Sequence, residues 1–391
     1  MNQLFKTKMK NYIVIIYLIV FMPNLLLGQT YSGMVIDKDS KEPLPYANIF
    51  QEGTLNGTIT NKEGQFELSI KENISAPIVI SFVGYITKVY SVNALAKEPI
   101  ITLEQKVLSI DEIEVKSGSS TWSRAKMLQV FKEEFLGTSF NAKSCKIKNE
   151  DDIYLFYNGD TQVLHASSQN DIIIENRLLG YRIYYLLEYF KKSSSGIQFK
   201  GYSRFEERDF KSDKAKIRID KERKDTYLGS IMHFVRFLFG YNINENDTIY
   251  DLKVLGQIYN YHAYDYPLDE SISDDLSFTS LVSKNEVNNT YLKKYVNKFQ
   301  LYNAHFEFLS PKSLIFNSDY KKELFSFDTV RIIYLGNLKN SMMILKSGIV
   351  EIFEDGYFNP EQISWGGAMS RQRVGDLLPL EYQYDETVPK K

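Results

Sequence analysis

The fold of this chain is decided by residues 33–70, which read GMVIDKDSKEPLPYANIFQEGTLNGTITNKEGQFELSI. Residues 65–70 alternate strictly between polar and apolar side chains, which predicts a strand with one buried face. The preceding TNKEG at residues 60–64 predicts a turn, because glycine adopts positive φ and asparagine bonds its own backbone. Residues 78–83 are nearly all apolar, which is typical of a strand covered on both faces. The spacing of these pieces favours a small antiparallel sandwich.

This stretch, together with ISFVGY at residues 80–85, carries a fingerprint of glycine, proline, aromatic and small polar positions. The positions are Gly33, Pro43, Ala47, Gly57, Thr60, Gly64, Phe66, Gly84 and Tyr85. The pattern resembles the carboxypeptidase-like regulatory domain, a transthyretin-like β-sandwich of bacterial cell-envelope proteins that often precedes the plug and barrel of TonB-dependent outer-membrane receptors. The resemblance extends from residue 31 to about residue 115. It implies a seven-stranded sandwich with no catalytic residues of its own.

The first 28 residues have the layout of a secretory signal peptide. Lys6, Lys8 and Lys10 precede an apolar run over residues 12–27, and polar character then returns. Pro23 interrupts the run, which leaves it short for a spanning helix of about 20 apolar residues. We therefore expect cleavage near residue 28 and export to the periplasm or outer membrane of a Gram-negative bacterium, with membrane association left open.

The remaining chain divides into three predicted parts, and the predicted fold class is mainly β. Residues 29–116 form the sandwich, and residues 117–139 form a linker with an amphipathic helix. Residues 140–391 form a β-rich α+β domain of unknown function with a few helices. In the linker helix, Thr121 or Ser123 is the predicted cap and Gly137 the predicted end, with a stripe on one face. The stripe comprises Ala125, Leu128, Phe131 and Phe135.

The C-terminal part contains several apolar or alternating runs that predict strands. They are residues 153–157, 172–175, 181–190, 197–204, 299–308, 330–334 and 342–353. Ser347-Gly348 divides the last run and predicts a tight hairpin turn. One helix is predicted among them, capped by Ser230 and ending at Gly240.

Composition and the distribution of metal-binding residue types argue against several functions. The net charge of −2 does not favour a nucleic-acid partner, and 14% aromatic residues suit β-sheet. The histidines are His165, His233, His262 and His305, and none stands at the spacing of a zinc peptidase motif. We therefore predict no metal, no cofactor and no catalytic residues, and a buried apolar role for the one cysteine, Cys145.

Three residues are candidates for ligand binding, each with a simpler structural alternative. His233 and Arg236 lie three positions apart on the predicted helix, so the pair could hold an anion. The alternative is a packed polar edge. Trp365, followed by two glycines, could stack on a sugar, and its alternative is a plug over the end of a sheet.

The sequence supports a non-enzymatic envelope protein in which the regulatory-like domain is a structural or binding module. The expected partner is another envelope protein or a glycan. One alternative is a small outer-membrane β-barrel or a transport component like a TonB-dependent receptor. A further alternative is a glycan or peptide hydrolase that pairs Asp355 with Glu351 or Glu361, since two carboxylates can share acid and base roles.

Overall fold

A computed structural model describes most of the sandwich and much of the C-terminal part. The described residues are 29–71, 73–106, 122–210, 212–240, 299–303, 308–309, 314–317, 322–326, 329–334 and 339–383. The predicted signal peptide, residues 117–121 of the predicted linker, His262 and His305 lie outside them. Within them the chain is mainly strand with a few helices, as predicted.

The N-terminal part is a two-sheet sandwich, and the predicted seven strands are confirmed. They are β1 Gln29–Asp37, β2 Asn48–Gln51, β3 Gly57–Ile59, β4 Gln65–Ile70, β5 Ile78–Ser81, β6 Lys88–Tyr90 and β7 Ile100–Leu103. The strand orders are β4-β1-β7 and β3-β2-β5-β6, with β1 and β7 parallel. A short helix, α1 Val92–Leu95, precedes β7 and begins after Ser91, whose side chain accepts a bond from the amide of Ala94.

The alternation read from the sequence places the core of the sandwich. Phe66, Leu68 and Ile70 of β4 are buried while the residues between them are exposed. Ile78 and Ile80 of β5 join them in the same cluster from the opposite sheet. Full burial of each such side chain stabilises the fold by roughly 1.5–3 kcal/mol, so the alternation alone specifies which face turns inward.

The C-terminal part begins with a six-stranded sheet. Its strands are β8 Cys145–Ile147, β9 Ile153–Asn158, β10 Val163–Ser168, β11 Ile172–Asn176, β12 Tyr181–Ser193 and β13 Gly196–Glu207. The long strand β12 pairs with β11 and then β10 along one edge, and with β13 along the other. The sheet is therefore organised around β12.

Helix α2, Arg124–Leu136, covers one face of this sheet. Ser123 caps it and Gly137 ends it with φ of +98°, in agreement with the predicted signals. Phe131 packs edge-on against Phe190 of β12, at 5.0 Å between ring centroids. Phe131 and Phe135 are fully buried, whereas Ala125, placed on the stripe by the sequence, is exposed. A second helix, α3 Phe140–Ser144, follows. The division of the chain near residues 116 and 140 stays a prediction.

Two further sheets and three helices complete the described C-terminal part. The strands are β14 Phe299–Tyr302, β15 Phe308–Leu309, β16 Ile315–Asn317, β17 Lys322–Phe325, β18 Val330–Tyr334, β19 Lys339–Leu345, β20 Ile349–Ile352 and β21 Ile363–Gly366. The strand orders are β15-β14-β18-β19-β21 and β16-β17-β20. The helices are α4 Asp213–Tyr227, α5 Ile231–Gly240 and α6 Gly367–Ser370. In the described part of the chain, no helix has the length and apolarity needed to cross a membrane.

The hairpin predicted at Ser347-Gly348 is wrong. Strand β19 pairs with β18 and β21, whereas β20 pairs with β17 in a different sheet. Gly348 does take a positive φ of +77°, so the turn chemistry was read correctly. The turn connects two different sheets. The pairing of each strand is determined by its packing in the folded chain and not by the turn alone.

Candidate functional site

The fingerprint glycines of the sandwich stand where a side chain would not fit. A Cβ on Gly33 would lie 2.8 Å from the carbonyl oxygen of Pro99 and 2.9 Å from the ring of Phe66. A Cβ on Gly64, which has φ of +73°, would lie 2.7 Å from the carbonyl oxygen of Val35 and 3.0 Å from Pro43. These positions therefore serve close packing of the backbone.

Two other fingerprint glycines have the same kind of role. A Cβ on Gly57 would approach Cβ of Phe50 to 2.9 Å. Gly84 takes φ of +84°, in the loop between β5 and β6. Both are backbone requirements of the sandwich, and neither presents a chemical group.

The polar fingerprint residues bond inside the sandwich. The hydroxyl of Thr60 donates to the carbonyl of Leu44 at 2.6 Å and accepts from the amide of Ala47 at 2.8 Å. The hydroxyl of Tyr85 donates to Asp37 at 2.7 Å. The backbone N–H of Ser40 and this hydroxyl hold the pKa of Asp37 well below its usual range. The fingerprint therefore maintains turns and strand ends.

Backbone hydrogen bonds join the sandwich to the C-terminal part. The amide of Gly53 donates to the carbonyl of Ser203 at 2.7 Å, and the amide of Phe205 donates to the carbonyl of Thr54 at 2.8 Å. The amide of Leu380 donates to the carbonyl of Gly53 at 2.8 Å. The loop after β2 thus pairs with the edge of β13 and with the C-terminal segment. We call this contact the domain junction.

A small apolar cluster and a buried carboxylate support the domain junction. Ile74 and Ala76 of the sandwich pack with Leu380, and all three are buried. The carboxylate of Asp355 accepts from the amide of Ser75 at 2.6 Å and from that of Tyr357 at 3.0 Å. Burial raises the pKa of Asp355, and these two bonds oppose that shift. Asp355, a residue of the hydrolase alternative, therefore holds the two parts of the chain together.

Arg236 fastens helix α5 to the C-terminal segment. Its Nε donates to the carbonyl of Asp355 at 2.9 Å, and its two terminal nitrogens donate to Leu380 and Tyr382 at 2.8 Å each. Each guanidinium nitrogen is thus engaged by a backbone carbonyl. This geometry favours a packing role, and anion binding by Arg236 stays a prediction.

His233 lies in the aromatic interior beside the same helix. Its Nδ1 accepts a hydrogen bond from the amide of Gly229 at 3.0 Å. Its ring lies 4.8 Å from that of Tyr227 and 4.9 Å from that of Phe299. The side chain is only 9% exposed, so it does not share an open surface with Arg236. A ligand role for His233 stays a prediction.

Trp365 lies on β21, half-buried against the core. Its ring makes edge-on contacts with Phe234 at 6.2 Å and Phe358 at 6.0 Å. This placement is the one expected if Trp365 covers the end of a sheet, and sugar stacking by Trp365 stays a prediction.

Burial raises the pKa of the Cys145 thiol to about 12, so the thiolate form that a nucleophile needs is scarce near neutral pH.

The domain junction also carries a carboxylate that the sequence did not single out. Glu52 follows β2 directly, and Tyr357 donates a hydrogen bond to it at 3.4 Å. Burial raises the pKa of Glu52 to about 7. The surrounding charges come from residues more than a hundred positions away, so no local pattern could have identified it.

A second unpredicted feature is the face of the six-stranded sheet opposite helix α2. Tyr154 of β9 and Tyr189 of β12 are 50% and 38% exposed on it. Phe156 and His165 are paired across β9 and β10 on the same face, with their rings 6.3 Å apart. We call these four residues the aromatic strip. Strand alternation could have revealed it, because each residue neighbours a position that points into the core.

Two of the cations near this face are paired with carboxylates. Arg182 lies 3.3 Å from Glu206 in an ion pair. Lys200 contacts Glu188 at 3.4 Å. Burial and the nearby charge of Lys191 lower the pKa of His165, so its imidazole is neutral at pH 7. Among the described residues, no group of three histidine, cysteine or acidic side chains could hold a metal ion.

Comparison with known proteins bears on the sandwich. A stretch of 92 residues is 29% identical to TonB-dependent receptor P39 of Formosa agariphila, over 24% of this chain. The match spans only 9% of the receptor, so it is confined to a small part of that protein. Residues 31–115 match the family model of the CarboxypepD_reg-like domain. The N-terminal sandwich is thus a CarboxypepD_reg-like domain.

Proposed function

We propose that this chain is an exported, non-enzymatic envelope protein that binds a neutral glycan on the aromatic strip. The sandwich acts as a structural module beside the binding sheet. The observation that carries the proposal is the exposure of Tyr154 and Tyr189 on the face of the six-stranded sheet that turns away from its core. The likeness to part of an outer-membrane receptor supports the envelope location.

The composition of the strip favours an uncharged sugar. Aromatic rings offer apolar faces on which a sugar can stack. A single exposed ring would not indicate a binding site, because isolated apolar residues are common on protein surfaces. Here two exposed rings share a sheet face with Phe156 and a neutral His165, which supplies a donor and an acceptor for hydroxyl groups. Among the described cations near the strip, Arg182 and Lys200 are paired with carboxylates, whereas Lys191 lies 5.9 Å over the ring of Tyr189. A face with so few unpaired cations attracts an anionic polymer only weakly.

Glycan binding is tested by titration calorimetry with a panel of neutral and anionic oligosaccharides. We expect the double variant Tyr154→Ala/Tyr189→Ala to lose at least tenfold in affinity for the neutral ligand that binds. Tyr46→Ala is the matched control, because Tyr46 is 60% exposed on the sandwich. Absence of binding to every neutral glycan, or equal affinity in the double variant, would overturn the proposal.

The envelope location is tested by fractionating cells of a Gram-negative host that express the full chain. We expect the protein in the envelope fraction, and a variant that lacks residues 2–28 in the cytoplasm. Full-length protein confined to the cytoplasm would contradict export.

The non-enzymatic character is tested with peptidoglycan and the same glycan panel as substrates. We expect no release of reducing ends or peptides over prolonged incubation. Turnover by the wild-type protein would instead support the hydrolase alternative.

A further inference from the structure

Glu52 stands at the centre of the domain junction, with charged or titratable groups around it from three directions. Strand β12 contributes Glu188 and Tyr185, and β13 contributes Lys200 and Tyr202. The stretch between β20 and β21 contributes Tyr357 and Glu361. Asp355 is the other buried carboxylate of the junction, and backbone amides occupy both of its oxygens. Each of these groups thus belongs to the part of the chain on which the sandwich docks.

Burial is the main cause that disfavours the ionised form of Glu52, and the charges of Glu188 and Glu361 add to it. The charge of Lys200 favours ionisation, but its Nζ already lies 3.4 Å from Glu188 and 3.4 Å from Glu361. An ionised Glu52 would bring a third negative charge to a site that holds one positive charge. The side chain is partly exposed, and the hydroxyl of Tyr357 donates to its carboxylate from the C-terminal part.

We propose that the domain junction is a proton-operated contact, closed when Glu52 carries a proton and loosened when Glu52 is ionised. Glu52 immediately precedes Gly53, whose amide and carbonyl make two of the three backbone bonds of the junction. Repulsion at Glu52 therefore acts directly on these bonds. Opening the contact would carry Glu52 into water and separate it from Glu188 and Glu361.

The direction of the pH dependence follows from the two states of Glu52. In the closed junction, burial raises its pKa to about 7, while the hydrogen bond from Tyr357 and the charge of Lys200 oppose the shift. In the open junction the carboxylate meets water and has the ordinary value near 4.5. Closure of the junction therefore takes up a proton at pH values between these two pKa values. The closed state is favoured in acid and weakens as pH rises to about 7, by at most tenfold per pH unit.

Hydrogen exchange of the full chain tests this proposal. The reporters are the amides of Gly53, Phe205 and Leu380, which donate to carbonyls across the junction. After correction for intrinsic exchange, we expect their protection to fall about tenfold or more between pH 5.5 and pH 7.5. Amides of β5, inside the sandwich, should keep their protection. Constant protection at the junction, or a parallel fall in β5, would overturn the proposal.

Three variants separate Glu52 from the other carboxylates. Glu52→Gln should remove the pH dependence and keep the reporters protected at pH 7.5. Lys200→Met should move the midpoint to higher pH and Glu361→Gln should move it to lower pH, because their charges act on Glu52 with opposite sign. The last two variants retain Glu52, so they test the proposal even if Glu52→Gln fails to fold.

Glu67→Gln is the matched control, since Glu67 is an exposed carboxylate on β4. It should leave the midpoint unchanged. An unaltered pH dependence in Glu52→Gln, or shifts of the same sign in Lys200→Met and Glu361→Gln, would refute the role of Glu52.

Discussion

At the scale of single residues, the fingerprint of the sandwich is a set of backbone requirements. Thr60 shows this most directly, because its hydroxyl serves two backbone groups of the segment from Leu44 to Ala47 while only 1% exposed. A buried donor and acceptor on the backbone must each find a partner. Threonine at this position therefore fixes the path of the chain into β2.

Replacing Thr60 with valine keeps the shape and removes both bonds. We expect a loss of about 2–4 kcal/mol in the free energy of unfolding, because an amide and a carbonyl become unsatisfied in a buried site. Urea denaturation of the variant measures the loss. Thr30→Val is the control, since the hydroxyl of Thr30 bonds to Ser69 at an exposed position. Equal stabilities for the two variants would contradict the role given to Thr60.

Residues differ in how far the sequence reveals them. The role of Gly64 could be predicted, because the positive φ that its turn requires depends on the local backbone alone. The raised pKa of Glu52 could not be predicted, because it depends on burial and on Glu188, Lys200 and Glu361, which come near only in the folded chain. Tyr154 falls between these cases. Alternation predicts that one side of its strand faces outward, but whether another element covers that side depends on the whole fold.

At the scale of elements, the sequence predicted the strands and helices in which apolar residues recur at a regular spacing. Strand β18, Val330–Tyr334, alternates buried and partly buried residues and was found at the predicted position. Helix α4 was missed because its sequence, DKAKIRIDKERKDTY, is mostly charged. Its contact with the sheet relies in part on Arg223, whose Nε donates to the carbonyl of Leu179 at 2.8 Å. Its guanidinium also lies 4.0 Å over the ring of Tyr181.

The stability of the protein should therefore fall more on the loss of Arg223 than on the loss of Arg218, although both lie on helix α4. We expect Arg223→Met to destabilise the protein by about 2–3 kcal/mol, through the lost backbone bond, the stacking and the 2.8 Å ion pair with Glu207. Arg218→Met changes an exposed cation of the same helix and should cost less than about 0.5 kcal/mol. Thermal unfolding followed by circular dichroism compares the two. A larger loss from Arg218→Met would show that α4 is anchored elsewhere.

At the scale of the whole molecule, one short C-terminal segment connects parts distant in sequence. Arg236 of α5 donates to the carbonyls of Leu380 and Tyr382, and the amide of Leu380 reaches Gly53 of the sandwich. Neither contact could be predicted from periodicity, because each depends on a segment without regular secondary structure. The sequence predicted two β-rich parts but not how they are held together.

Removal of the Arg236 guanidinium should release this segment while the sheets remain folded. We expect Arg236→Met to raise hydrogen exchange at the amide of Leu380 at least tenfold, because the carbonyls of Leu380 and Tyr382 lose their donor. Exchange in β12 should be unchanged. A uniform rise across β12 and the segment would indicate global destabilisation, contrary to this prediction.

The apolar part of the domain junction makes a prediction about cooperativity. Leu380 is 7% exposed and packs with Ile74 and Ala76, so the sandwich and the C-terminal part should unfold together in the wild-type protein. An aspartate at position 380 would bury an unpaired charge and separate them. Calorimetry should then show two transitions for Leu380→Asp in place of one. Leu377→Asp is the matched control, because Leu377 lies in the same segment but is 37% exposed, and it should keep the single transition. Two transitions in the wild-type protein at acid pH, where Glu52 is protonated, would mean that the junction does not couple the two parts.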